Sequence, residues 1–386
     1  MSARPDQAGR QADDASQPQS GAARVGPRLR MARQARGFSQ QQLAGMAGVS
    51  RQAVSAVESG LSDPSLRVAL ALSRALGMTV EELFGPATPE PVVAVRPVAP
   101  LGGPGARVSL APVGDSIVGL PLSGPPVTRA GFAAAGGRVT GADSVIPLGP
   151  PRPTLVVAGC DPALPLLELP LSLLEPPVSF LWWPCASQEA LRLANSGLVH
   201  VAGAHLRGSA GDYNTRAAAD FLPAGAEVIG FCAWREGLVL RPGLADSITS
   251  LGDVAAAGLR VVNREPGAEA RRVLDRELAR HDIAPADLAG YQSQATGHLE
   301  VAAAVAAGLA DAGVASEPAA LAYELAFVPL TEERFDLVVP AAQVASREVQ
   351  GLLRALSSPW LHDQLASLPG YTLTQCGERL ATVTPA

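Results

Sequence analysis

The stretch Ser39–Gly60, SQQQLAGMAGVSRQAVSAVESG, leaves the chain few ways to fold locally. Ser39 and Ser50 each stand before a short run with apolar residues at helical spacing, and a serine hydroxyl satisfies free amides in a helix's first turn. Gly48 and Gly60 are placed to end those runs, where a left-handed residue closes a helix. With only Gly48-Val49 before the second cap, the spacing predicts two short helices joined by a tight turn. In the second helix Val54 and Val57 face inward, which turns Arg51, Gln52, Ser55 and Ala56 outward. These side chains match base edges in a major groove: Arg for guanine, Gln for adenine, a small methyl for thymine.

The flanks extend the pattern. Arg28–Arg36 reads as a basic helix broken by Gly37, Pro64-Ser65 opens a helix running to Leu76, and Thr79 opens another to Phe84. Leu29, Leu43, Ala47, Val54, Val57, Leu66, Leu70, Leu76 and Leu83 are the expected core. Residues 28–84 thus resemble the Cro and phage-repressor (XRE) type of helix-turn-helix domain, on GFSQQQLAGMAGVSRQAVSAVESG, DPSL and ALGMTVEELF. The resemblance implies a double-stranded DNA operator as partner, met by Ser50, Arg51, Gln52, Ser55 and Ala56, with Gln40 on a phosphate. A monomer of this size offers few base contacts, so a homodimer is expected.

Charge supports that placement. The net charge of −6 divides into −1 over residues 1–23, +4 over residues 24–84 and −9 over residues 85–386, so nucleic acid should meet only the front of the molecule. All 30 basic residues are Arg, which excludes Schiff-base and P-loop lysine chemistry. Cys160, Cys185, Cys232 and Cys376 are scattered without a CxxC pair. They give no metal motif or disulfide framework, and are expected to be inert small hydrophobes in a reducing cytoplasm. No apolar run approaches the roughly 20 residues of a membrane span. Residues 1–23, polar and turn-prone, are expected to be disordered.

Residues 85–153 hold 14 Pro and 12 Gly, so helices cannot persist there. Yet ARVSLAPVGDSIVGLPL reads as two apolar strands about Gly114-Asp115, and GGRVTGADSVIPL as another hairpin. A tether followed by a small β-rich connector is expected over 86–152, a flexible linker being the alternative. From residue 153 strands and helices alternate, the mark of parallel sheet with crossover helices. AEVIGFCAW runs into REGLVLRPG as one long strand, and LAFVPLTEERFDLVVP returns, suggesting two lobes joined by crossing strands.

Residues 153–380 are similar to the periplasmic-binding-protein-like (type II) domain related to molybdate-binding proteins, found behind helix-turn-helix domains. VAGCDPAL, VHVAGAHL with GDYN, REGLV, VNREPGAEAR, GHLEVAAAVAAGLADAG and AFVPLTEERFDLVVP carry the likeness. The architecture expected is therefore multi-domain: a disordered tail (1–23), an all-α five-helix DNA-binding domain (24–85), the connector (86–152) and a two-lobed α/β sensor (153–386). The resemblance implies a cytoplasmic regulator whose cleft takes a small-molecule effector, an oxyanion such as molybdate or an organic metabolite, largely at helix N-termini.

Asp161, Ser187, His205, Tyr213, Asn214, Arg264, Gly267, Ala268, Arg271 and His298 are the ligand-site candidates, each with a structural alternative as cap, ion pair or hinge. Ala268-Glu269-Ala270 stands where relatives that suit molybdate carry Ser, Gly and Thr, so this turn lacks two hydroxyls and gains a carboxylate. Pro184 likewise donates no hydrogen bond. No catalytic residue, cofactor or metal is assigned: GxSxG, HExxH and phosphate-loop motifs are absent. A C-terminal domain that only dimerises or docks a partner is the second reading, and an enzyme fused to a regulator the third.

Overall fold

The computed structural model describes residues 25–85, 91–124, 133–208 and 212–385. The disorder expected of residues 1–23 concerns residues outside these. Contacts divide the chain into two compact units, Met1–Pro91 and Val92–Ala386.

The first unit holds α1 (Val25–Ala35), α2 (Gln40–Ala47), α3 (Arg51–Glu58), α4 (Leu66–Leu76) and α5 (Val80–Phe84). The serines and Thr79 cap them: Ser39, Ser50, Ser65 and Thr79 each accept a backbone N–H of the first turn. Gly48 and Gly77 end α2 and α4 at φ 63° and 60°, a conformation that a side chain would strain. The core comprises Leu29, Ala32, Leu43, Ala44, Val54, Val57, Leu72, Leu76 and Leu83. Leu66 and Leu70, expected there, are 73% and 40% exposed. The inward stripe of α4 is Ala69, Leu72, Ser73 and Leu76, rotated from the one expected.

In the second unit β1 (Val93–Ala94), β2 (Arg96–Pro97), β3 (Arg107–Val113), β4 (Ser116–Pro121), β5 (Gly137–Gly141) and β6 (Ser144–Pro147) form one sheet in the order β1-β6-β5-β3-β4-β2. Pro112, Pro121 and the glycines thus lie in short strands and tight turns. Ala111, Val113, Val118 and Leu120 share a core with Val156, Ala158, Ala190 and Leu191 of the next domain. A flexible linker is excluded over these strands.

Two lobes follow on a nine-stranded sheet. β7 (Thr154–Ala158), β8 (Ser179–Trp183) and β9 (Val201–Ala204) are parallel in one lobe. β11 (Val261–Arg264), β12 (Gln294–Ala295) and β13 (Ala312–Ser316) are parallel in the other. Between them run β10 (Ala226–Leu240) and β14 (Ala326–Pro340), paired antiparallel along nearly their whole length. The first half of β10 and the last half of β14 belong to the first lobe, beside β15 (Arg379–Val383) and β9. The second half of β10 pairs with β13 in the other lobe. Asp161, Ser187, His205, Arg264 and His298 stand at or just beyond the carboxyl ends of β7, β8, β9, β11 and β12, where open α/β sheets hold ligands.

Gly203 shows how tightly that seam is packed. A Cβ at Gly203 would lie 2.3 Å from Cζ of Phe335, a fully buried ring at the base of the cleft. Gly203→Ala is expected to destabilise the domain by about 1–3 kcal/mol through overpacking; urea unfolding of the full chain checks this, and an unchanged midpoint would contradict it.

Candidate functional site

On the DNA-binding domain the exposed side of α3 carries Arg51, Gln52 and Ser55, with Ala56 half-buried beside them. Ser50 is engaged as cap, its Oγ accepting from Ala53 N at 3.1 Å. At the end of α3 stands Glu58, whose side chain is fully buried. Arg33 donates to it from Nε at 2.6 Å and from Nη2 at 3.1 Å, and also donates to the Phe38 carbonyl at 2.6 Å. Gln40 donates one amide N–H to Glu58 Oε2 at 2.9 Å. One carboxylate therefore ties α1, α2 and α3 together and orients the outward residues. Burial pushes the Glu58 pKa up, but the hydrogen bonds from Arg33 and Gln40 outweigh it and hold the carboxyl below its ordinary range.

In the two-lobed domain the carboxyl ends of β7, β9, β11 and β12 and the segments that follow them bring together Cys160, His205, Arg264 and His298. Trp234 and Glu236 from β10 and Glu333 and Phe335 from β14, each pair two residues apart and on one face of its strand, form the floor. The His205 and His298 ring centroids are 5.4 Å apart, and Trp234 lies 5.4 and 5.8 Å from them. Glu236 sits between the imidazoles: its Oε2 is 3.6 Å from His205 Nδ1 and its Oε1 3.8 Å from His298 Nδ1. His205 Nδ1 is also 3.9 Å from Glu333 Oε2. Both nitrogens of His205, Nε2 of His298, both oxygens of Glu236 and of Glu333, Nη1 of Arg264 and Nε1 of Trp234 are buried without a hydrogen-bond partner.

Environment sets their protonation. Burial, aided by the Arg264 charge, pushes His205 down to about 3 and His298 well below its ordinary value. Burial holds the Glu236 and Glu333 carboxyls above the usual range. Arg264 works against this at Glu236, while the Glu236 charge adds to it at Glu333. Burial also pushes the Cys160 thiol up to about 12.

Other candidates are engaged in holding the fold. Asp161 accepts from Ala163 N at 2.6 Å, Tyr371 Oη at 3.0 Å and Cys232 Sγ at 3.1 Å. Ser187 Oγ accepts from His205 N at 3.2 Å. Asn214 accepts from Leu206 N and donates to Asp336 Oδ2, both at 2.7 Å, so its amide staples β14 to the loop after β9. Tyr213 Oη donates to the Glu332 carbonyl at 3.0 Å. Arg271 donates to the Arg264 carbonyl at 3.0 Å and lies over the Tyr291 ring. Arg264 itself is clamped on Glu265, at 2.8 and 3.1 Å.

Gly267 turns at φ 90° and packs on Gln188 of the opposite lobe, and Ala268 begins the helix Glu269–Arg280 without a side-chain cap. Glu269, fully buried at that N-terminus, pairs with Arg272 at 3.0 Å and Arg276 at 2.8 Å. Cys160, Trp234, Glu236 and Glu333 were missed by the sequence reading. A signal existed: each crossing strand interrupts its apolar run with charges, REG in one and TEER in the other.

A helix-turn-helix family model matches residues 29–83, and one described as a PBP superfamily domain matches residues 171–357. The uncharacterized protein YvgK of Bacillus subtilis is 32% identical over 144 residues, which are 37% of this chain and 46% of that protein. The chain therefore spans under half of that relative's length. An uncharacterized HTH-type transcriptional regulator of Methanocaldococcus jannaschii, MJ0272, is 37% identical over 57 residues, 15% of this chain and 86% of its own. A putative phosphate transporter substrate-binding protein from Clostridium perfringens overlays 55% of this chain and 96% of its own at 13% identity, with a TM-score of 0.41.

Because Glu58 has a lowered pKa, its stabilising contribution is present above about 4.3, the unfolded value, and is lost as pH falls through the folded one. Thermal melts of the DNA-binding domain's signal are expected to fall over that acidic range in the native chain, and Glu58→Ala to cost about 3 kcal/mol at neutral pH by stranding Arg33; a variant as stable as the native chain would contradict the role given to this pair. With both models matched in this order, the chain belongs to the helix-turn-helix regulators of the phage-repressor type that carry a PBP superfamily domain behind the DNA-binding domain.

Proposed function

We propose that the chain is a ligand-responsive transcriptional regulator, in which α3 reads an operator and the cleft at His205, His298, Glu236 and Glu333 holds the effector. The observation that carries this reading is the group of nine buried, unpartnered polar atoms at the seam between the lobes. Each such atom costs about 1–3 kcal/mol when nothing bonds to it, so a domain built only to dimerise would gain by filling the seam with apolar side chains. A ligand that bonds to both lobes at once removes that cost and favours one arrangement of the lobes over others.

The chemistry of the seam argues against an oxyanion. Arg264 is neutralised by Glu265, and the helix start that would cradle an anion carries the buried Glu269 between two alanines. The unmatched atoms include four carboxyl oxygens and the lone-pair nitrogen of neutral His205, which suit a cation or a donor-rich organic molecule. On the DNA side, Arg51 and Gln52 are the base readers, and Gln40 keeps a second amide N–H for a phosphate. A homodimer on a two-fold operator, with half-sites about 10–10.5 bp apart or a multiple of that, fits so small a reading surface.

Arg51→Ala and Gln52→Ala are each expected to relax base preference and weaken operator binding by about 1–3 kcal/mol. Selection of bound sequences from a random pool, followed by titration, measures both. Variants that keep the native preference and affinity would place the reading surface elsewhere.

A further inference from the structure

We propose that Cys160, His205 and His298 form a binding site for one first-row transition-metal ion of the zinc type. This rests on the reading of the seam as the effector site and names the chemical class of what enters it. One ligand atom from each of Cys160, His205 and His298 lies within 4.8 Å of the other two, and all three residues are buried. In a tetrahedral zinc site with bonds of about 2.0–2.3 Å, ligand atoms are roughly 3.5 Å apart, so the three need close by only about 1 Å. The Glu236 carboxylate lies alongside, one oxygen 3.6 Å from His205 Nδ1 and the other 3.8 Å from His298 Nδ1, and its charge offsets that of an ion held there.

The donor set is selective. One sulfur and two imidazole nitrogens suit zinc, cobalt or copper, with the fourth position left to a water or an effector group, whereas magnesium and calcium require oxygen ligands. Uptake releases the Cys160 thiol proton, since the thiolate is the ligand. His205 has no competing bond at either nitrogen. At His298, Nδ1 accepts from Ser316 N at 3.2 Å, which leaves the ring proton on Nε2. An ion at Nδ1 replaces that amide, and an ion at Nε2 requires the proton to move to Nδ1; either way this one long bond is given up. Entry is provided by an adjoining cavity of about 470 Å³ lined by Cys160, Cys185, Trp182, Thr296, His298 and Tyr323. The ligands come from both lobes, Cys160 and His205 from the first and His298 from the second, so an ion here ties the lobes together.

The test is a Co²⁺ titration of the reduced full-length chain under anaerobic conditions, followed by absorbance, with Zn²⁺ as competitor. One equivalent is expected to bind, giving a near-ultraviolet thiolate-to-cobalt band and the visible bands of a four-coordinate site, both removed by Zn²⁺. Cys160→Ser is expected to abolish the ultraviolet band while Cys185→Ser retains it, and His298→Asn or His205→Asn to weaken binding at least tenfold; circular dichroism establishes that each variant is folded. Absence of stoichiometric binding, or a thiolate band that survives in folded Cys160→Ser, would overturn the site. Metal uptake that leaves operator affinity unchanged upholds the site and contradicts the regulatory reading. An operator response to an organic molecule in a chain that takes up no metal does the reverse.

Discussion

The antiparallel pairing of β10 with β14 is the constraint on which the two-lobed domain depends. Each strand is 15 residues long and serves both lobes, so the same ladder that joins the lobes also forms the floor between them. Irregularities in the register at Gly230/Cys232 and Glu236/Gly237 fall on either side of Trp234. A bulge re-aims side chains and bends the ladder, and here the bent segment carries Trp234 and Glu236 into the seam. Glu333 arrives from the partner strand, in register with Trp234. Charged residues in mid-strand would be costly on either lobe's own core; between the lobes they find imidazoles and a thiol.

The loops at the strand ends complete the arrangement because their own polar groups are already bonded. Asp161, Ser187 and Asn214 hold backbone amides at three turns, and thereby fix where Cys160 and His205 point. A site whose supporting shell is satisfied and whose central atoms are not is preorganised for an added group. The same division appears on the DNA-binding domain, where Arg33 and Gln40 lock Glu58 on the inner side of α3 so that Arg51 and Gln52 are presented outward.

Much of this was legible in the sequence. Serine caps, closing glycines and the Val54/Val57 stripe are local signals, and local hydrogen bonding decides a short helix. The crossing strands were readable as long apolar runs. Less accessible was α4, where Leu66 and Leu70 fall outside the core because a helix with apolar residues on several sides does not reveal which side is inward. The candidate residues could not be ranked from the sequence for a similar reason. Polar residues at strand ends suggest ligands and caps equally, and only three-dimensional partners separate Asn214, bonded on both sides, from His205, bonded at neither nitrogen. Glu236 and Glu333 lie almost 100 residues apart, and nothing local reports that antiparallel pairing brings them to one floor.

In the proposed regulator the arrangement of the lobes sets DNA affinity, and this can be measured without knowing the effector. Gly267 lies across the seam from Gln188, with an ideal Cβ 3.4 Å from the Gln188 Cβ, close to the separation of a disulfide. Its φ of 90° strains any side chain placed there, so the reduced double variant is the reference for the comparison. In a chain carrying Gln188→Cys and Gly267→Cys, oxidation locks the lobes together and reduction frees them. Operator affinity of the oxidised and reduced forms, by fluorescence anisotropy, is predicted to differ by roughly 5- to 150-fold, the usual range of coupling between two sites, while the native chain shows no redox dependence. Equal affinities in a fully cross-linked and a fully reduced sample would contradict the claim that the cleft governs DNA binding.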